Sequence, residues 1–466
     1  MSAIWTRYGL RRSPFFQEPL EAGTESADLD TLFIGRVADL QTMVDRLSHD
    51  TVTRVVMIGD SGVGKTTLMN RLMEDFRKPG PDRAAWLVPE LRPINLPGTT
   101  TLQDFCLEVL RQILDLRRQQ GARSRAAPER AGRISKATAG ARALGGTARS
   151  AVAPSWDLWE RVTRLVDGTT TVSPQIAGFG ITTQVIAGTP SGAHWVPLTH
   201  EALVGLTTET GRDLLLAVNN AENMGRDAAD RAQAILVDAR DLFQIPRTHW
   251  MFVGTPDFYE HVIKPQKPLV TAMRHPVRLD ALGPADVRKL IAVRYAALKQ
   301  GHALIPPVDL DAVEALARVF VGDLRELLRA LESAVLLLAH RAATIGLPEA
   351  MTVISAQQRE ILRDHMQAAS WKHLLRVVLS PPGTDVLQRF READAVRILA
   401  PMRQATVNGH KRTWLAEGLV RSDGFTGASE WLVVTGSALL AMVPEAHDRG
   451  KPLDAFLTGR DLGQAS

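Results

Sequence analysis

Three continuous apolar runs stand out along the chain: Val55-Val-Met-Ile58, Leu214-Leu-Leu-Ala-Val218 and Trp250-Met-Phe-Val253. Runs without polar alternation suit parallel strands buried on both faces. The first passes at once into a glycine-rich turn. Leu68, Met69, Leu72, Met73 and Phe76 then fall at helical spacing, which predicts an amphipathic helix facing the sheet. A helical pattern over residues 226–243 separates the second run from the third, and this strand–helix–strand alternation predicts an α/β fold. Beyond Leu282 the spacing turns helical throughout, predicting helices over 284–298, 310–320 and 323–340, with Asp309 as cap of the middle one. Two or three short helices between Trp371 and Leu419 lead into Val420–Val434, where Asp423-Gly424 and Gly427 predict a hairpin.

Composition narrows the class. At 466 residues, 45% apolar and 23% charged, the chain has material for two to four domains with cores, which excludes wholesale disorder. A formal charge of +4 is too small for a polycation, and the single cysteine, Cys106, excludes an internal disulfide framework and a cysteine-based zinc site. The absence of a long apolar run, and an N-terminus without a signal-like stretch, predict a soluble cytoplasmic protein. Residues 117–149 carry nine cations against Glu129 alone, with no aromatic residue, and are expected to form a mobile basic insertion. A solvated linker and a phosphate-contacting segment both fit; without aromatics, base stacking does not. Residues 169–198, rich in Thr, Gly and Val, fit a β-hairpin insertion but show no chemistry.

The sharpest motif is Gly59-Asp60-Ser61-Gly62-Val63-Gly64-Lys65-Thr66, followed by Thr67, which fits the phosphate-loop pattern without a mismatch. Its glycines let backbone N–H groups converge on phosphate oxygens, and the following helix points its positive end at them. Lys65 is placed to bridge the β- and γ-phosphates and Thr66 to ligate Mg²⁺. No Asn-Lys-x-Asp guanine motif is present, so ATP is the expected nucleotide.

With these residues in hand, the chain resembles the AAA+ and STAND ATPases, closest to initiator (origin-recognition-type) and transposition-regulator members. Phe33-Ile-Gly-Arg-Val-Ala-Asp-Leu40 looks like their entry box, and Thr248–Thr255 like a sensor-1 strand ending in Thr255. Gly322-Asp-Leu-Arg325 looks like sensor 2, which implies that Arg325 reaches the γ-phosphate. Arg274 stands where such ATPases place an arginine finger for a neighbouring subunit, which implies a homo-oligomer. The resemblance implies an α/β P-loop fold, AAA+-like, with a parallel sheet and helical lid, followed by a winged-helix domain.

One box departs from the family pattern. Where a Walker-B strand ends in two acids, Val218 is followed by Asn219 and Asn220, with Glu222 displaced by two residues. An amide carbonyl can still accept a hydrogen bond from a Mg²⁺-bound water, so Asn219 remains a metal-side candidate. It cannot take the attacking water's proton, and losing that group costs about 10²–10⁴ in rate. Slow hydrolysis with binding retained is expected, unless Glu222 or Asn220 serves the attacking water.

Val407–Val420, ending in Gly-Leu-Val before the hairpin, resembles a winged helix. In DNA-binding members the helix enters the major groove and the wing touches the backbone. Lys411, Arg412 and Arg421 would then meet phosphates and Asn408 or His410 base edges; docking to protein is the alternative. The chain is accordingly divided into an N-terminal arm (1–30), a nucleotide-binding base (31–280), a helical lid (281–350) and a winged-helix domain (351–466). The expected function is an ATP-binding switch coupling nucleotide state to oligomerisation and to docking of double-stranded DNA or a protein partner. An active DNA-stimulated remodeller and a scaffold with structural nucleotide are the competing readings.

Overall fold

The computed structural model describes residues 2–20, 29–49, 52–60, 62–80, 85–90, 92–96, 101–126, 156–168, 194–221, 226–273, 276–301, 303–320, 322–426, 429–458 and 460–461. Ser61, Glu222, Arg274 and Gly427 lie outside them, as do residues 127–149 of the expected basic insertion and most of 169–198. The chain forms two compact units, one of Arg36–Asp60 and Lys65–Leu279, the other of Met1–Gly35, Ser61–Gly64 and Asp280–Ser466.

The first unit is built on the three apolar runs. They form β1 (Arg54–Ile58), β3 (Leu214–Ala221) and β4 (Thr248–Gly254), joined by short β2 (Ile94–Asn95) and β5 (Val277–Arg278). All pairings are parallel, in the order β2-β3-β4-β1-β5. Every residue of β4 is buried, as a strand covered on both faces requires. The Lys65–Arg77 helix buries Leu68, Met69, Leu72, Met73 and Phe76, the face its spacing predicts. Aromatic packing stiffens the centre: Phe243 meets Trp250 at 5.0 Å and Phe252 at 5.3 Å.

The first part of the expected basic insertion is helical. Leu102–Ala126 is one helix, so Arg117, Arg118, Arg123 and Arg125 are helical residues. Arg117 pairs with Glu209 at 3.2 Å and lies 4.4 Å over Trp159, whose indole N–H donates to Glu209 at 2.7 Å. Arg118 pairs with Asp167 at 2.8 Å. Partners from the Trp156–Gly168 and Trp195–Thr210 helices thus order a stretch whose own composition suggests mobility. Trp195–Leu198 is helical too, not part of a hairpin.

The second unit holds helices Pro284–Leu298, Leu310–Val319 and Leu324–Leu338, close to their predicted bounds. Asp309 occupies the N-cap of the middle helix, yet its side chain makes no capping bond. Asp323 does cap the next one, its carboxylate accepting from Glu326 N–H at 2.9 Å. The N-terminal segment is no loose arm: Trp5, Tyr8, Leu10, Phe15, Phe16 and Leu20 are buried in this unit's core. Arg294 secures them, donating to the Pro14 and Phe16 carbonyls at 3.1 and 2.9 Å with its guanidinium 3.8 Å over the Phe16 ring. Burial pulls its pKa down to about 9.

Toward the C-terminus the order is helix Ala369–Val378, β6 (Leu387–Arg391), helices Glu392–Ile398 and Gln404–Ala416, then β7 (Val420–Thr426) and β8 (Ser429–Val434). That is the winged-helix order, with β9 (Arg460–Asp461) added parallel to β6. Asp423-Gly424 does not turn the chain as predicted. Pairing runs from Ser422–Leu432 to Phe425–Glu430, so the dipeptide is a bulge within β7.

Candidate nucleotide site at the rim of the parallel sheet

Register places the candidate residues. Ile58 of β1 pairs with Gly254 of β4, which pairs in turn with Ala221 of β3, so three strands end at one level. Gly59, Thr255 and the asparagine pair therefore share the carboxyl rim, where open α/β sheets bind ligands. The strand bearing the asparagines is separated from β1 by β4.

The phosphate loop springs from β1, its Gly59 N–H donating to Gly254 O at 3.3 Å. Gly62 and Gly64 adopt left-handed φ of +82° and +94°, a conformation costly for any residue with a Cβ. Lys65 opens the helix, 3% exposed, with its ammonium donating to the Gly59 and Asp60 carbonyls at 2.9 and 2.8 Å. Val63 is buried, while Thr66 and Thr67 are half-buried in the first helical turn. Among the described residues, apart from its chain neighbours, no atom lies within 4 Å of the place a Gly64 Cβ would take, so that side of the loop is open. Loop amides, an ammonium and a helix N-terminus form the donor set that polyphosphate chemistry requires.

Thr255 is half-buried at the N-cap of the short Pro256–Phe258 helix, with no side-chain capping bond. Asn219 is 6% exposed and pairs across the sheet with Asn95 of β2, a rim residue that sequence reasoning missed because a two-residue strand leaves no periodic signal. Between Val218 and Ala221 the register slips: three steps on β3 match two on β4. This β-bulge sits at Asn219-Asn220, and one extra residue exchanges the faces of the residues beyond it.

Within the second unit, Arg325 lies at the start of the Leu324–Leu338 helix, exposed. A Cβ on Gly62 would stand 3.4 Å from Arg325 Cβ and 3.4 Å from Asp323 Oδ1, so the bare glycine permits their approach. Gly322 has φ +85°, and a Cβ there would lie 2.3 Å from Ala281 Cβ. In the entry-box segment, Gly35 (φ +76°) packs against Leu282 and Asp286.

Four of the nucleic-acid candidates have unlike surroundings. Lys411 is held between Glu392 and Glu430 at 2.6 and 2.5 Å, so its charge is balanced within the fold. Arg412 is exposed, with no ion pair or hydrogen bond from its side chain among the described residues. Asn408 is half-buried with Oδ1 lacking a donor, and Arg421 lies with Nη2 3.9 Å from the Cβ position of Gly322. Nearby on β6, Arg389 and Arg391 lie with their guanidinium carbons 4.5 and 5.4 Å over the Trp431 ring, and Arg391 also pairs with Asp394 at 3.2 Å.

No protein-family model and no curated protein sequence matches the chain. Among solved structures it is similar to the Aeropyrum pernix ORC1 protein in complex with DNA, at 12% identity over 90% of this chain and 95% of that one, TM-score 0.41. It is also similar to the Aeropyrum pernix ORC2 protein in its ADPNP–ADP complexes, at 12% identity over 97% and 99%, TM-score 0.43. Cdc6p from Pyrobaculum aerophilum follows at 14% identity over 91% and 99%, TM-score 0.38. Among the described residues, no helix is long and apolar enough to cross a membrane and no group of three or more His, Cys, Asp and Glu side chains could hold a metal.

Proposed function

We propose that the chain binds ATP with Mg²⁺ at the sheet rim and uses the bound state as a switch for docking of its winged-helix region. The phosphate loop carries this reading: two left-handed glycines, open space at Gly64 and a buried Lys65 at a helix N-terminus. Lys65 would sit on the β- and γ-phosphates, with Gly59 through Gly64 supplying backbone donors and Thr67 bordering the site. Thr66 and Asn219 would hold Mg²⁺, which when bound neutralises phosphate charge. Thr255 and Arg325 would sense the γ-phosphate, and Arg274 would act on a neighbouring copy in a homo-oligomer.

With asparagine at both acidic positions, hydrolysis is expected to be slow while binding persists. A second reading takes Glu222 as the group that serves the attacking water and makes the chain a remodelling ATPase. Double-stranded DNA is the proposed partner of the Gln404–Ala416 helix, because its exposed positions Gln404, Ala405, Thr406, Gly409, Arg412 and Ala416 carry no acid.

Steady-state ATP turnover, with and without duplex DNA and with Lys65→Ala as the blank, separates the readings. Turnover at the blank level, with fluorescent ATP-analogue binding present in the native chain and lost in the variant, supports the switch. Turnover of about one per second that rises with DNA assigns Glu222 as the base and overturns slow hydrolysis. No nucleotide binding at all overturns both.

A further inference from the structure

Three consecutive residues, Thr435-Gly436-Ser437, follow β8 and open helix Gly436–Ala441, and each holds a different part of the second unit. Gly436 is seated against Phe320, the C-cap of helix Leu310–Val319. A Cβ on Gly436 would stand 2.5 Å from Phe320 Cδ1 and 2.8 Å from Phe320 Cα, so the two backbones meet where any other side chain would force them apart. Ser437 Oγ donates to Glu326 Oε2 at 3.1 Å, in the first turn of helix Leu324–Leu338 and next in sequence to Arg325. Burial and Asp323 push the Glu326 carboxyl above its usual range, and this hydrogen bond draws it part of the way back. On the other side, Thr435 Oγ1 donates to Gly418 O and Thr435 N–H to Leu419 O, both at 3.0 Å, directly behind the C-terminus of helix Gln404–Ala416.

Contacts this close transmit displacement. A close-packed interior has little slack to absorb a shift, so moving Phe320 or Glu326 moves Gly436 and Ser437, and with them the carbonyl end of the Gln404–Ala416 helix. Phe320, Leu327, Leu419, Val434, Ala438 and Leu439 share one core within this unit, which keeps the three elements in register. On the reading that Arg325 senses the γ-phosphate and that helix Gln404–Ala416 is the docking element, we propose that Thr435-Gly436-Ser437 is the joint that couples them. A shift of the turn bearing Arg325 passes through Glu326 and Phe320 to Ser437 and Gly436, and through Thr435 to Gly418 and Leu419. The three act as positioning residues: they set how far bound nucleotide alters the affinity for DNA, rather than either affinity by itself.

The test is duplex-DNA binding by the full chain, read by fluorescence anisotropy with and without a saturating non-hydrolysable ATP analogue. In the native chain the analogue is expected to change DNA affinity by at least about fivefold. Ser437→Ala and Thr435→Val should each keep the analogue affinity and the nucleotide-free DNA affinity within about twofold, while the effect of nucleotide on DNA binding disappears. Thr435→Ser, which restores the hydroxyl, should restore that effect. Thermal melts establish that the variants fold, and Ser437→Ala carries the test if Thr435→Val does not. An undiminished nucleotide effect in the folded variants would overturn the joint and leave the nucleotide and DNA readings standing. A native chain that binds both ligands with no effect of one on the other would overturn the coupling, whereas failure to bind the analogue or the DNA would overturn the corresponding reading and the joint with it.

Discussion

Lys65 is the residue on which the proposed nucleotide site depends most, its buried ammonium donating to the two loop carbonyls of Gly59 and Asp60. Lys65→Ala is expected to lower ATP affinity by at least about tenfold while leaving the melting temperature within a few degrees, as equilibrium titration and a thermal melt would show. Gly322 is a backbone case. Gly322→Ala forces a Cβ into φ +85° and against Ala281. A loss of about 1–3 kcal/mol is expected in denaturant titration, and an undiminished midpoint would refute the strain argument. Cys106 is a case of burial. Desolvation pushes its thiol up to about 11, with a hydrogen bond to Thr199 pulling part of the way back. A raised folded-state pKa gives stability that is complete below the ordinary value of 9 and lost as the pH rises through 11. The native thiol should therefore resist alkylation at pH 8 and react only on unfolding, and stability should fall faster above pH 9 in the native chain than in Cys106→Ala.

Among elements, the N-terminal segment and the Gln404–Ala416 helix part most from a reading of local pattern. Trp5, Tyr8, Phe15 and Phe16 are buried through partners distant in sequence: Phe15 meets Tyr295 edge-on at 6.3 Å and Arg294 lies 3.8 Å over Phe16, both on the Pro284–Leu298 helix. Trp5→Ala is expected to cost about 3–5 kcal/mol in denaturant unfolding, as core aromatic truncations do; a near-neutral effect would mean the segment is only lightly docked. On the Gln404–Ala416 helix two adjacent cations have opposite fates. Lys411 is paired twice, whereas Arg412 faces solvent. If this helix meets DNA, Arg412→Ala should reduce the slope of log affinity against log salt by about one, while Lys411→Met should leave the slope unchanged and lower stability. Equal slopes for the two variants would place the contact elsewhere. Sequence alone treats these neighbours alike, because the difference lies in Glu392 and Glu430, 19 residues away on each side.

At the scale of the whole molecule, the turnover experiment matters most, because it tests whether the nucleotide site proposed at the sheet rim hydrolyses ATP. The parallel strands, the phosphate loop and the three helices after Leu282 were legible in the sequence, since continuous apolar runs, glycine spacing and helical period are local signals of burial and backbone freedom. Strand order was not legible, nor the pairing of Asn219 with Asn95 across two strands separated by more than a hundred residues. The bulge that re-aims the end of β3 depends on register with β4, which no single segment encodes. Local propensity and motif chemistry are properties of neighbours along the chain. Which charges are neutralised, which polar atoms lose their water and which loop ends share a rim are set by neighbours in space, and those the tertiary structure alone decided.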